Sequence, residues 1–122
     1  MLDQSMKKAL VGDVDKYVPD CAESLKRNGH MNEYKGEAID EKAVDGWLRA
    51  YVEAFDKRGR AIMGGGEFAD VCVAEAKLFV RKHELPVSTA TRDAIIVDFL
   101  NLIVGKHCCL DLGLYTRDFA KA

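Results

Sequence analysis

Asp40-Glu-Lys-Ala-Val-Asp-Gly-Trp-Leu-Arg-Ala-Tyr-Val-Glu-Ala-Phe-Asp-Lys-Arg58 is the stretch on which the fold turns. Val44, Trp47, Leu48, Tyr51, Val52 and Phe55 recur at the spacing that puts side chains on one face of an α-helix. Glu41, Lys42, Asp45, Arg49, Glu53 and Asp56 fill the opposite face, which makes this an amphipathic helix with one side for the core and one for water. Asp40 stands where a carboxylate caps the first free amides. Lys57 and Arg58 suit the negative end of the dipole, and Gly59 suits the stop.

Downstream, Lys57-Arg-Gly-Arg-Ala-Ile-Met-Gly-Gly-Gly66 reads as a Gly-rich connection. A second long helix follows over 67–84, with Phe68, Val71, Cys72, Leu78 and Phe79 on one face and Pro86 ending it. Ser88 or Thr89 can start a third, running to Val104 with Gly105 behind it. Its β-branched content also fits a strand, but its length favours a helix. Ile95, Ile96, Val97, Phe99, Leu100, Leu102, Ile103 and Val104 leave only the line of Ala94, Asp98, Asn101 and Gly105 free of bulk, so this helix is expected at the centre.

Upstream, residues 2–11 form a short amphipathic pattern that stops near Gly12. A separate helix is expected to begin near 16–18, because Pro19 belongs in a first turn, and to end at Asn28 before Gly29. His30 to Ile39 reads as loop. Leu110, Leu112 and Leu114 alternate as a strand would, Gly113 weakens that reading, and Thr116 can cap a last turn. The expected fold is all-α: a single domain over 1–122 with four to five helices, bundle-like or orthogonal, and a less regular C-terminal segment.

The chain has 122 residues, 48% hydrophobic and 31% charged, a composition that belongs to one globular domain with a genuine core. Its longest apolar run, Ala94 to Val104, is interrupted by Asp98 and Asn101 and falls short of the roughly 20 residues a membrane span needs. Eighteen Lys and Arg stand against twenty Asp and Glu, a net charge of −2, whereas a non-specific nucleic-acid binder usually carries a basic excess. Cys21, Cys72, Cys108 and Cys109 show no disulfide-framework spacing, and no apolar leader segment follows Met1. Free thiols in a cytoplasmic protein are expected.

Several residues stand out chemically. Glu75 falls in the middle of an apolar helix face, where a carboxylate must be partnered, protonated or turned to a cavity. Lys82 lies two turns along the same face. Asp98 and Asn101 share one side of the expected central helix and either reach a pocket together with Glu75 or form a narrow wet stripe. Lys57, Arg58 and Arg60 precede three glycines and a helix start, a setting that attracts anions, but no strand precedes them and the Gly-Lys-Ser/Thr of a phosphate loop is missing. His107-Cys108-Cys109-x-Asp111 gathers metal-ligand types without the second pair that zinc needs, and cysteine beside leucine reads as core. No metal and no cofactor are expected.

Three functions fit these residues. The first is a protein acting by protein–protein interaction, an adaptor, inhibitor or regulatory subunit. Its apolar faces exceed what one small interior is expected to hold, so a homodimer through Trp47, Tyr51 and Phe55 is expected. The second is an anion- or nucleic-acid-contacting regulator using Lys57, Arg58 and Arg60. The third is a carboxylate-based hydrolase centred on Glu75 and Asp98.

Overall fold

The structure, a computed structural model, describes residues 4–27, 39–57 and 65–108, except the side chains of 20–27, 65–67 and 108. The described residues form four helices and no strand: α1 (Gln4–Arg27), α2 (Glu41–Lys57), α3 (Gly65–Lys82) and α4 (Thr89–Cys108). The all-α expectation holds. The basic residues Arg58 and Arg60 and the alternating leucines of the tail lie outside the described residues.

Helix α2 forms as its sequence demands. The Asp40 carboxylate accepts from the Lys42 amide at 2.9 Å and from the Ala43 amide at 3.4 Å, and Lys57 closes the last turn. Helix α4 is capped in the same way, its Thr91 amide donating to the Ser88 hydroxyl at 3.2 Å.

Helix α1 departs from expectation, being one helix of 24 residues where two were expected. It runs through both Gly12 and Pro19. A glycine inside a helix costs only about 1 kcal/mol. Pro19 removes one backbone hydrogen bond, but Pro19 and Asp15, whose carbonyl would have accepted it, are both exposed. Water can serve that carbonyl, while buried Leu10, Val14 and Val18 hold the other face against the core. Helix α4 departs too, continuing past Gly105 to Cys108.

Cross-helix bonds give the topology. Lys7 meets Glu53 at 2.9 Å and Arg49 pairs with Asp15, so α1 and α2 run antiparallel. Phe55 packs on Phe68 at one end of the α2–α3 pair and Trp47 reaches His83 at the other, again antiparallel. Arg92 donates to the Val80 carbonyl at 3.3 Å across the connection between α3 and α4. Tyr17 meets Ile95, and Asp13 meets Lys106, which closes α4 antiparallel onto α1. The four helices therefore form an up-down-up-down ring of two tight hairpins, α1–α2 and α3–α4, joined along two looser seams, α2–α3 and α1–α4.

The core is an aromatic chain that touches every helix. Trp47 stacks near Phe79 at 5.3 Å between centroids, Phe79 meets Tyr51 at 5.6 Å, and Tyr51 meets Phe99 edge-on at 6.4 Å. Phe99 in turn packs on Tyr17 at 5.6 Å. This corrects the expected interface: Trp47, Tyr51 and Phe55 are 5%, 0% and 3% exposed within a single chain. The four apolar stripes meet one another, so these rings offer no surface to a second copy. Among the described residues only Leu78 and Leu102 are large hydrophobics left exposed.

Helix α4 is also not central. It is one wall of the ring, with Asn101, Leu102 and Gly105 facing water and Val97 half-buried. The overshoot came from counting every β-branched and leucine side chain as buried. No helix among the described residues is long and apolar enough to cross a membrane.

A Cβ built on Gly12 or Gly46 meets nothing within 4 Å. Gly12→Ala and Gly46→Ala are each expected to stabilise the fold by about 0.5–1 kcal/mol through helix propensity alone. Urea unfolding of the single and double variants checks this, with additive shifts in midpoint as the expected outcome.

Candidate functional site

The α2–α3 seam is where the sequence-selected residues come together. Helix α2 turns the small residues Ala43, Gly46, Ala50 and Ala54 toward this side, with Lys42 and Lys57 near its two ends. Helix α3 brings Glu75, Leu78 and Phe79 from its middle, then Arg81, Lys82 and His83 from its C-terminal end. Side chains this short on α2 cannot fill the space beside α3, and two surface clefts result.

The first cleft, about 290 Å³, is lined by Ala54, Lys57, Glu75, Leu78, Phe79, Lys82 and His83. The second, about 640 Å³ and more open, is walled by Gly46, Trp47 and Ala50 on one side and by Arg81 and the 82–86 segment on the other. Lys82 and His83 line both, so the two clefts adjoin, and together they make up the α2–α3 groove.

The seam beneath the groove is held by hydrogen bonds from aromatic side chains. Trp47 Nε1 donates to the His83 carbonyl at 2.9 Å, and the Tyr51 hydroxyl donates to the Cys72 carbonyl at 2.7 Å. The His83 ring stacks on Phe79 at 4.3 Å with 17° between planes, which fixes an exposed imidazole at the junction of the two clefts. Lys42, Lys57, Arg81 and Lys82 set four formal cations around the groove against Glu75 and Glu84, on a chain whose net charge is −2.

Glu75 is 7% exposed and lies at the inner side of the first cleft. No buried polar side-chain atom among the described residues lacks a hydrogen-bond partner, so its carboxylate is accommodated as the sequence required. Its charge is felt by Tyr51, whose hydroxyl is held well above its ordinary pKa, first by burial, then by Cys72, then by Glu75.

That shift has a consequence for alkaline stability. The folded chain keeps a proton on Tyr51 that the unfolded chain releases, so Tyr51's contribution is complete below about pH 10 and is lost as the pH rises toward the folded-state value. Unfolding midpoints measured from pH 8 to 11 are expected to fall more steeply for the wild-type chain than for Tyr51→Phe, with Tyr17, Tyr34 and Tyr115 as the shared background.

The remaining sequence-selected residues lie elsewhere. Asp98 is half-buried and Asn101 exposed on α4, and neither lines the groove, so the carboxylate pair expected of a hydrolase is not assembled there. Lys57 joins the groove without Arg58 or Arg60, which are outside the described residues. Cys72 is buried and in no disulfide, and no three His, Cys, Asp or Glu side chains gather as a metal site among the described residues.

Sequence reasoning missed two features. Arg81 and His83 were not joined with Glu75 and Lys82 as one site, although His83 falls one turn after Phe79 on the same face. The second omission is a charged cluster on the other seam, where the buried Asp13 carboxylate takes Lys106 Nζ at 2.7 Å and His107 Nε2 at 2.7 Å. Asp13 sat in the gap between two helices that are in fact one, and its partners lie more than ninety residues away. Compared with protein families, with curated proteins and with solved structures, the chain matches none.

Proposed function

We propose that this chain is a binding protein rather than an enzyme, an adaptor, inhibitor or regulatory subunit that engages a different protein through the face formed by α2 and α3. One observation carries the reading: two adjoining clefts on that face combine apolar lining, an exposed Leu78 and four cations, on a molecule otherwise weighted toward negative charge. Concave surfaces that mix apolar area with convergent polar groups are where ligands and partners bind. A reducing, cytoplasmic setting belongs to this reading, because the four cysteines lack disulfide-framework spacing in the sequence.

A heterologous partner is favoured over a second copy because the aromatic surplus that called for a homodimer is taken up in the chain's own core. Contact with nucleic acid is the weaker reading. The groove's cations stand on a chain of net charge −2, without the overall basic excess on which phosphate-backbone binding draws.

The test compares two charge-reversal pairs in tagged protein. Lys57→Glu with Lys82→Glu is expected to abolish recovery of the co-purifying partner, while Lys8→Glu with Lys16→Glu on α1 leaves it intact. The opposite pattern overturns the proposal. Light scattering on the wild-type chain without partner is expected to return the monomer mass.

A further inference from the structure

The partner's own conformation follows from the shape and chemistry of the groove. We infer that the α2–α3 groove takes one acidic amphipathic helix of the partner protein, laid over Gly46 and Ala50 with its charged side against Lys57 and Lys82. This deepens the function proposed above and rests on it.

Three observations carry the inference. The groove follows α2 from Lys42 to Lys57, a length of about 22 Å at 1.5 Å per residue, which suits a helix of about four turns. Its floor is low because α2 presents Gly46 and alanines there, and a Cβ built at 46 meets nothing within 4 Å. A helix axis can therefore approach within the 8–10 Å typical of packed pairs.

Hydrogen bonding supplies the second argument. The walls are helices whose mid-length backbone groups are already bonded internally, with no sheet edge to share. An extended segment would lose water from its own amides here without replacement. A helix arrives with its backbone satisfied, and its apolar stripe can cover Leu78 and the Trp47 edge of the floor.

Charge supplies the third. The four cations outnumber the two carboxylates: Lys42, Arg81 and Lys82 stand at the end where α2 begins and α3 finishes, and Lys57 stands toward the other end. Rim charges of this kind select and steer a partner of opposite sign, and their effect fades as salt rises.

A displayed library of helical peptides of roughly 18 residues, with randomised acidic, basic and apolar positions, tests this on the full chain. The sequences enriched are expected to be acidic, with apolar residues at i, i+3 or i+4, and i+7. Their binding is expected to weaken more than about tenfold in Lys57→Glu with Lys82→Glu at low salt, and by much less at high salt. Gly46→Leu is expected to weaken it more than about tenfold by filling the floor, while Gly46→Ala, the smaller intrusion, keeps most of it. Thermal unfolding establishes that both Gly46 variants remain folded.

Enrichment of basic or proline-rich extended peptides, failure to enrich any sequence, displacement by an oligonucleotide, or indifference to Gly46→Leu would each overturn the inference. Its failure is distinguishable from failure of the proposed function. If the natural partner is still lost on reversing Lys57 and Lys82, the α2–α3 face stands and only the helical, acidic occupant falls. If that partner depends instead on Lys8 and Lys16, both fall.

Discussion

Tyr51→Ala is expected to remove a large part of the chain's folding stability at neutral pH. Tyr51 is fully buried, contacts Phe55, Phe79 and Phe99, and donates to the Cys72 carbonyl, so it links α2 to α3 beside it and to α4 across the core. Removing a buried aromatic ring costs about 3–5 kcal/mol, through lost transfer energy and the cavity left behind. That is a large fraction of the about 5–15 kcal/mol by which a typical domain is stable. Tyr51→Phe keeps the ring and removes only the hydrogen bond, and is expected to cost about 0.5–1.5 kcal/mol. Circular dichroism and urea titration separate the two. Comparable losses for both variants would mean that the hydroxyl, and not the ring, holds the seam.

The second large effect is an asymmetry in the α1–α4 seam. Asp13 is 2% exposed, whereas the Lys106 side chain is 47% exposed and can return to water. Replacing Lys106 and His107 together by alanine strands a buried carboxylate, for which a loss of about 3–5 kcal/mol is expected. Asp13→Ala releases the Lys106 ammonium, which is readily solvated, and the His107 ring, and is expected to cost distinctly less. Adding Asp13→Leu to the double variant is expected to recover much of the loss, because an apolar side chain then replaces a stranded charge. Unfolding free energies of the four proteins check the order. Equal losses from either side of the cluster would contradict it.

What could be read from the sequence was decided by range. Local signals that agreed with one another, as from Asp40 to Lys57, placed α2 almost to the residue, and the cap at Ser88 placed the start of α4. Local signals that stood alone misled. Gly12 and Pro19 are helix breakers by intrinsic preference, yet burial of Leu10, Val14 and Val18 carries α1 through both. Gly105 was overridden in the same way, with Ile103 and Val104 buried before it and Lys106 and His107 bound to Asp13 after it.

The candidate site was half legible. Glu75 drew notice because its helical phase put a carboxylate on an apolar face, and Lys82 followed from the same phase. The groove itself was not readable, since it exists only because the small residues of α2 face the long ones of α3. Trp47, Tyr51 and Phe55 had the period of a core stripe, and a sequence cannot say whether such a stripe meets its own chain or another. Here it meets its own.

Lysine-directed cross-linking of the complex with its co-purified partner, read by mass spectrometry, decides whether α2 and α3 are the working face. Cross-links are expected at Lys42, Lys57 and Lys82. Cross-links confined to Lys8, Lys16 and Lys106, on the α1–α4 side of the ring, would contradict it.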